Sequence, residues 1–258
     1  MPTAVQVRVL GPVEVDTGAG PVGLGGPALR GLLAALAVDA GRVVPMPVLA
    51  ERLWDGEAGG AAPATLQSYV SRLRRLLEPE RPAAGWQVLR TRPPGYQLDV
   101  DPEAVDAVRF ERLLRRARAL ADPAAARAAV AEALGLWRGE AYADVPGGFA
   151  VEEARRLQAR RLEARELAAE LDLALGRHAD LVQELPALVR AHPLREGLCR
   201  SLVLALYRSG RQAEALQLFA EVRERLAEAL GADPGPELRR LHEAVLRQDP
   251  ALDLPAPA

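Results

Sequence analysis

Between Pro63 and Leu77 the chain reads P-A-T-L-Q-S-Y-V-S-R-L-R-R-L-L. A helix advances about 100° per residue, so Leu66, Val70, Leu73 and Leu77 fall on one stripe that must meet a core. The opposite side then presents Ser68, Ser71, Arg72 and Arg75, with Thr65, Gln67, Tyr69 and Arg74 on the flanks. Pro63 suits a first helical turn, and Pro79 stops the helix just past Leu77. The spacing therefore predicts a helix over Pro63–Leu77 whose free face carries short hydroxyls and arginines. Arginine can grip guanine O6 and N7 through paired hydrogen bonds or clamp a phosphate, and Ser or Thr can serve either role.

The elements on either side give this helix its context. Upstream, Val5 to Val15 reads V-Q-V-R-V-L-G-P-V-E-V, two alternating strands broken at Gly11-Pro12, and Pro21 to Leu24 can add a third. A first helix follows Gly25-Gly26-Pro27, with Leu29, Leu32, Leu33 and Leu36 at core spacing, and Gly41 stops it. Val43-Val44 is an extended pair, Pro47 to Trp54 a second helix, and Asp55 to Ala62 a Gly/Ala-rich loop. Downstream, Trp86 to Arg90 and Tyr96 to Val100 read as strands joined by Thr91-Arg92-Pro93-Pro94-Gly95, a hairpin with turn residues at its tip. Strands, three helices and a hairpin in this order are the arrangement of a winged helix-turn-helix, in which the third helix enters the major groove and the wing reaches the backbone or minor groove. The wing adds Arg90, Thr91 and Arg92 to the helix residues. The arginine patch is then Arg72, Arg74, Arg75, Arg90 and Arg92, a local cluster of the kind that counterion release requires.

From Asp101 onward the pattern is helical. Helices are expected over Asp106–Leu120, Pro123–Trp137, Ala150–Leu175, Ala179–His192, Leu194–Arg208, Gln212–Leu230 and Pro234–Arg247, with Asp122-Pro123 and Asp233-Pro234 as start signals. Two Gly-Arg pairs, at Gly176-Arg177 and Gly210-Arg211, stand 34 residues apart, and Val182 matches Leu216 and Leu185 matches Phe219 at the same offset. That is the period of tetratricopeptide arrays, whose stacked helix pairs hold segments of other proteins. The expected organisation is an α+β winged helix-turn-helix over residues 1–100, an all-α tetratricopeptide-like domain over 101–250, and a frayed tail over 251–258.

Composition bounds the chemistry. The 258 residues are 49% apolar and 26% charged, a globular balance with room for two cores. All 33 basic residues are arginine, so phosphate-loop, Schiff-base and kinase-type lysine chemistries are impossible. The arginine bias also means that position, not residue type, has to carry an argument. The net charge is −2, and residues 1–99 hold 10 arginines against 9 acids, so any field for nucleic acid must be local. His178, His192 and His242 have no metal-ligand spacing, and Cys199, alone in an apolar helical run, reads as a small buried hydrophobe. Gly23-Leu24-Gly25-Gly26 reads as a turn, and Glu152-Glu153 as acids complementing a helix start. These readings make the chain a non-enzyme without cofactor or metal. With no membrane-length apolar run and no secretory-type start, the expected place is the cytoplasm. On the residues alone two functions stay open: a DNA reader, or a tetratricopeptide-type scaffold whose first domain binds protein without binding DNA.

T-L-Q-S-Y-V-S-R-L-R-R-L-L-E followed by T-R-P-P-G-Y-Q-L resembles the OmpR-type effector domains of response regulators. With V-R-V-L-G-P-V-E-V, L-R-G-L-L-A-A-L-A and L-A-E-R-L-W, the first half is similar to the Streptomyces antibiotic regulatory protein (SARP) family. V-D-A-V-R-F-E-R-L-L, L-W-R-G-E, H-P-L-R-E, A-L-Y-R-S-G-R-Q-A-E-A-L and L-G-A-D-P-G-P-E-L-R-R-L resemble the bacterial transcriptional activator domain that follows the winged helix in that family. The resemblance implies an activator that binds direct repeats of double-stranded DNA near a promoter's −35 region as a side-by-side homodimer. It further implies recruitment of RNA polymerase through sigma and alpha subunits at antibiotic-biosynthesis genes. Base and phosphate contacts would come from Thr65, Tyr69, Arg72 and Arg74 on the helix and Arg92 in the wing. With the residues read from the helix face and hairpin, the candidate site is Thr65, Ser68, Tyr69, Arg72, Arg74, Arg75, Arg90, Thr91 and Arg92.

Overall fold

The computed structural model describes residues 5–56, 62–80 and 85–254. At the start of the chain, alternation turns Val7 and Val15 inward and leaves Gln6, Arg8 and Glu14 outside. β1 (Gln6–Arg8), β2 (Glu14–Asp16) and β3 (Pro21–Val22) form an antiparallel sheet in that order, with Val15 opposite both Val7 and Val22. α1 (Pro27–Ala37) has proline in its first turn and buries Leu29, Leu32, Leu33 and Leu36. There follow β4 (Val43–Pro45), α2 (Met46–Trp54), α3 (Ala62–Leu77), β5 (Leu89–Arg92) and β6 (Gly95–Leu98). A second antiparallel sheet has the order β4-β6-β5, so β4 completes the wing hairpin. This is the expected winged helix-turn-helix. The loop expected between α2 and α3 falls mostly on 57–61, outside the described residues.

The hairpin differs from the expected one in its reach. β5 runs on to Arg92 and β6 begins at Gly95, with Thr91 opposite Tyr96 and Arg92 opposite Gly95, so only Pro93-Pro94 turns the chain. Thr91 is β-branched and suits a strand, whereas the prolines have no N–H to donate to a ladder. Gly95 is needed where β6 closes on β4, because a Cβ there would overlap the Val44 carbonyl.

Packing divides the chain into two compact units: Met1–Arg116 with Glu132–Leu162, and Ala117–Ala131 with Glu163–Ala258. The helices involved are α4 (Asp106–Ala119), α5 (Pro123–Gly135) and α6 (Gly148–Ala174). The expected boundary at residue 100 thus falls inside the first unit. Its physical reason is the β1–β2 connection, whose backbone polar groups lack strand partners where the chain bends at Gly11-Pro12. The N–H groups of Val9 and Leu10 donate to the Asp106 carboxylate at 2.8 and 3.1 Å, and that of Val13 donates to Asp144 at 2.8 Å. In return Arg138 N–H reaches the Leu10 carbonyl at 2.8 Å and Tyr142 N–H the Val9 carbonyl at 2.9 Å. Asp144 also pairs with Arg30 of α1 at 3.1 Å, and Asp55, just past α2, accepts the Gly148 N–H at 3.0 Å. α5 stops at Gly135 rather than at Trp137, which frees Trp137 to pack edge-on against Phe110 at 5.4 Å beneath the Arg161 guanidinium.

The second unit contains α7 (His178–Ala191), α8 (Glu196–Arg208), α9 (Gln212–Leu230) and α10 (Pro236–Arg247). The 34-residue repeat is visible in its helix ends. Gly176 and Gly210 have φ of 76° and 74°, and the N–H of Arg177 bonds the Asp172 carbonyl at 2.8 Å as that of Arg211 bonds Leu206 at 2.9 Å. Both are left-handed helix terminations of the Schellman type. Leu185 and its counterpart Phe219 are both buried, whereas Val182 is buried and its counterpart Leu216 half-buried. Asp122 caps α5 as expected, accepting from Ala124 and Ala125 N–H at 3.1 Å. Asp233-Pro234, by contrast, does not start α10. That helix begins two residues later, with Gly235 as its N-cap, and the Glu196 carboxylate accepts the Gly235 N–H at 2.7 Å. Cys199 is buried, and burial pushes its thiol up to about 11. Pro250–Leu252, at the start of the expected frayed tail, form a turn held by the Arg208 side chain, which donates to the Leu252 carbonyl at 2.7 Å. Residues 255–258 lie outside the described residues.

Two outcomes follow for the first unit. A fragment ending at Val100 loses the bonds that the N–H groups of Val9, Leu10 and Val13 make to the carboxylates of Asp106 and Asp144, each worth about 1.5–3 kcal/mol net for a charged acceptor. It is expected to melt at least about 10 °C below the intact chain by circular dichroism, and an equal midpoint would contradict the bracing role. The second outcome concerns pH. Burial raises the Asp106 carboxyl from 3.8 to about 6, against the opposing N–H bonds of Val9 and Leu10 and the charge of Arg138. The folded state therefore holds this proton more tightly than the unfolded chain. The resulting stabilisation, about 3 kcal/mol, is full below about pH 4 and is lost as pH rises through about 6. In urea titrations the stability of the wild type relative to Asp106→Asn should fall by that amount between about pH 4 and 7. A difference independent of pH would overturn the assignment.

Candidate nucleic-acid interface

The rotation of α3 is set by its apolar stripe, since Leu66, Val70, Leu73 and Leu77 are all 1% exposed or less. Ser68, Ser71, Arg72 and Arg75 consequently stand on the exposed face, together with Ala64 and Gln67. Thr65 and Tyr69 are half-buried on its margin, and the Tyr69 ring lies 6.4 Å from that of Trp54 on α2. Apart from Gln67, this face carries only small side chains as far as Ser71, a shape that lets the helix axis come close to a groove floor. A helix is about 10–12 Å across with its side chains, and the major groove is about 12 Å wide.

On its other flank, α3 is stitched to the wing. The Arg74 guanidinium donates through Nε to the Leu89 carbonyl and through Nη2 to Thr91 Oγ1, both at 2.8 Å, and lies 5.8 Å from the centre of the Tyr96 ring. One turn later the buried Glu78 carboxylate accepts the N–H groups of Gln87 at 2.9 Å and Val88 at 3.0 Å. These bonds to a charged group fix where β5 starts. Arg90 is engaged within the wing: Nε meets Asp99 at 2.9 Å and the Gln87 carbonyl at 3.0 Å, and Nη2 meets Gln87 Oε1 at 2.8 Å.

The nine predicted residues are thus gathered on α3 and the adjoining strand β5, but they stand in different states. Ser68, Arg72, Arg75, Thr91 and Arg92 are exposed, Thr65 and Tyr69 are half-buried, and Arg74 and Arg90 are bound to other protein groups. Arg72, Arg75 and Arg92 form no ion pair with any described acidic residue, which leaves three charges to set the local field. Ser71 shares their exposed face. Glu78 and Asp99 were not among the predicted residues. A signal did exist for Glu78, because an acid at a helix C-terminus opposes the helix dipole and needs another reason to stand there. Among the described residues, no three His, Cys, Asp or Glu side chains are grouped to hold a metal ion, and no helix is long and apolar enough to cross a membrane.

Known proteins share this arrangement. Residues 25–98 match the family model of the C-terminal domain of transcriptional regulatory proteins, and residues 105–246 match that of the bacterial transcriptional activator domain. The chain is 42% identical over 256 residues to the regulatory protein AfsR of Streptomyces griseus, with 98% of this chain and 26% of AfsR covered. It is 39% identical over 261 residues to the regulatory protein DnrI of Streptomyces peucetius, with 98% of this chain and 96% of DnrI covered. It therefore spans about a quarter of the one relative and nearly all of the other. The solved structure of Mycobacterium tuberculosis EmbR in complex with a low affinity phosphopeptide superimposes with a TM-score of 0.89 at 35% identity, covering 96% of this chain and 66% of that one. Winged helix and activator domain are joined here in the order found in those regulators, and the chain belongs to the Streptomyces antibiotic regulatory protein family of transcriptional regulators.

Proposed function

We propose that this chain binds double-stranded promoter DNA in a sequence-specific manner and activates transcription from it. In this reading α3 lies in the major groove, with Arg72 and Arg75 on guanine edges or phosphates and Ser68 and Ser71 on neighbouring groups. Thr65 and Tyr69 border the same groove, and Arg92 of the wing, next to Thr91, meets the sugar-phosphate chain beyond it. The observation that carries the proposal is the exposed strip of α3, whose Arg72 and Arg75, like Arg92 on the adjoining wing strand, form no ion pair with an acid among the described residues. On the resemblance to the family we further propose two protomers side by side on direct repeats near the −35 region, RNA polymerase engaged through its sigma and alpha subunits, and antibiotic-type gene clusters as targets. The helical second unit is the part we assign to polymerase contact, because stacked helix pairs offer a surface for another protein. Such a regulator works at the nucleoid, in the cytoplasm.

Fluorescence anisotropy with duplexes selected from a random pool tests the reading. Arg72→Ala should weaken binding by about tenfold or more and relax preference at one base pair, as loss of a bidentate contact does. Arg92→Ala should weaken all sequences alike and make the salt slope shallower by about 1. For a wild-type dimer neutralising about six phosphates, the slope of log affinity against log salt should be about −5. Unchanged affinity in both variants, or a flat salt dependence, would contradict DNA binding by this face.

A further inference from the structure

We propose that Arg74 is a positioning residue, one that sets the wing against α3 and contributes to DNA affinity through Arg92 rather than through a phosphate of its own. The inference rests on the DNA-binding reading above and refines it. Three observations carry it. First, the guanidinium spends its Nε–H and one Nη2–H, both at 2.8 Å, on the carbonyl of Leu89 and the hydroxyl of Thr91. These are the two residues of β5 that face α3, and β5 is an edge strand whose ladder partner, β6, lies on one side only. A carbonyl on the open side has no ladder partner, so Arg74 supplies a bond the sheet cannot. Second, Arg92 follows Thr91 directly, on the same strand and the opposite face. Any slide or roll of β5 against α3 moves Arg92 by the same amount, and the Arg90–Asp99 pair ties the strand from that other face. Third, the planar fork of arginine is what spans a carbonyl and a hydroxyl on one strand at once. A lysine ammonium keeps the charge and loses that geometry.

These properties separate positioning from direct contact. A phosphate clamp at Arg74 would tolerate lysine with the salt slope unchanged and would add independently to Arg92. A positioning residue does the opposite on each count. The experiment titrates the full chain, as wild type, Arg74→Lys, Arg92→Ala, the double variant and Arg72→Ala, against the selected duplex at several salt concentrations. Arg74→Lys is expected to lose about tenfold in affinity and to make the salt slope shallower by about 1, as Arg92→Ala does, because the displaced wing gives up the same phosphate. The double variant is expected to bind within about twofold of Arg92→Ala alone, because the wing contact can be lost only once. Losses that multiply in the double variant, or wild-type affinity for Arg74→Lys, would overturn the proposal. Thr91→Val removes only the hydroxyl acceptor and keeps the Leu89 bond, so it tests the same coupling should Arg74→Lys melt early. It is expected to show a smaller loss that likewise vanishes beside Arg92→Ala. Failure of the wild type to bind any selected duplex would fault the DNA-binding reading itself. Wild-type binding that Arg72→Ala weakens and Arg74→Lys leaves intact would fault only the role given to Arg74.

Discussion

A helix and a wing can engage one duplex together only if the distance between them is fixed. In this protein that constraint is met by two side chains one helical turn apart, Arg74 and Glu78. Arg74 donates to the strand at Leu89 and Thr91, while Glu78 accepts from its start at Gln87 and Val88. A donor fork and an acceptor carboxylate at i and i+4 thus grip the Gln87–Thr91 stretch, from the two residues before β5 into the strand, each by charge-assisted bonds worth more than neutral ones. The rotation of α3 that aims this grip comes from the buried leucine and valine stripe. The exposed strip of Ser68, Ser71, Arg72 and Arg75 is what remains when stripe and grip have taken their sides.

The same logic holds farther from the interface. β1 and β2 leave their connection with unpaired backbone groups, and the chain satisfies them with residues that come about a hundred positions later, at Asp106, Arg138, Tyr142 and Asp144. Buried backbone N–H groups rarely go unpaired, so these later residues are part of the winged-helix unit in the energetic sense. The first compact unit is consequently discontinuous in sequence. The winged helix and the start of the activator domain thus belong to one compact unit.

Much of this was legible in the sequence, and the limit of legibility has a physical form. Periodicity located α3, its stripe and its outward face, because a core forces apolar residues onto one side. The 34-residue spacing of Gly176 and Gly210 located two helix ends that prove alike down to their hydrogen bonds, because a left-handed termination favours glycine. What stayed hidden is the destination of polar side chains. Arg74 and Arg72 look alike in sequence, yet one bonds the wing and the other is exposed. Arg90 reads in sequence as a wing cation, whereas Asp99, nine positions on, pairs with it. The sequence groups Thr91, Arg92 and Gly95 with the prolines as turn residues, yet all three stay in the ladder, because only Pro93 and Pro94 lack the N–H that it needs. Nor does any local pattern announce that Asp106 bonds the N–H of Val9 across 97 positions.

The central claim is that α3 reads base edges in the major groove. Dimethyl sulfate protection on a selected duplex tests it most directly, because the reagent methylates guanine N7, the atom a bidentate arginine covers. The account predicts protected guanines in two patches about one helical turn apart, with loss of protection at the corresponding guanine in each patch for Arg72→Ala. Full binding with every guanine N7 still reactive would contradict it.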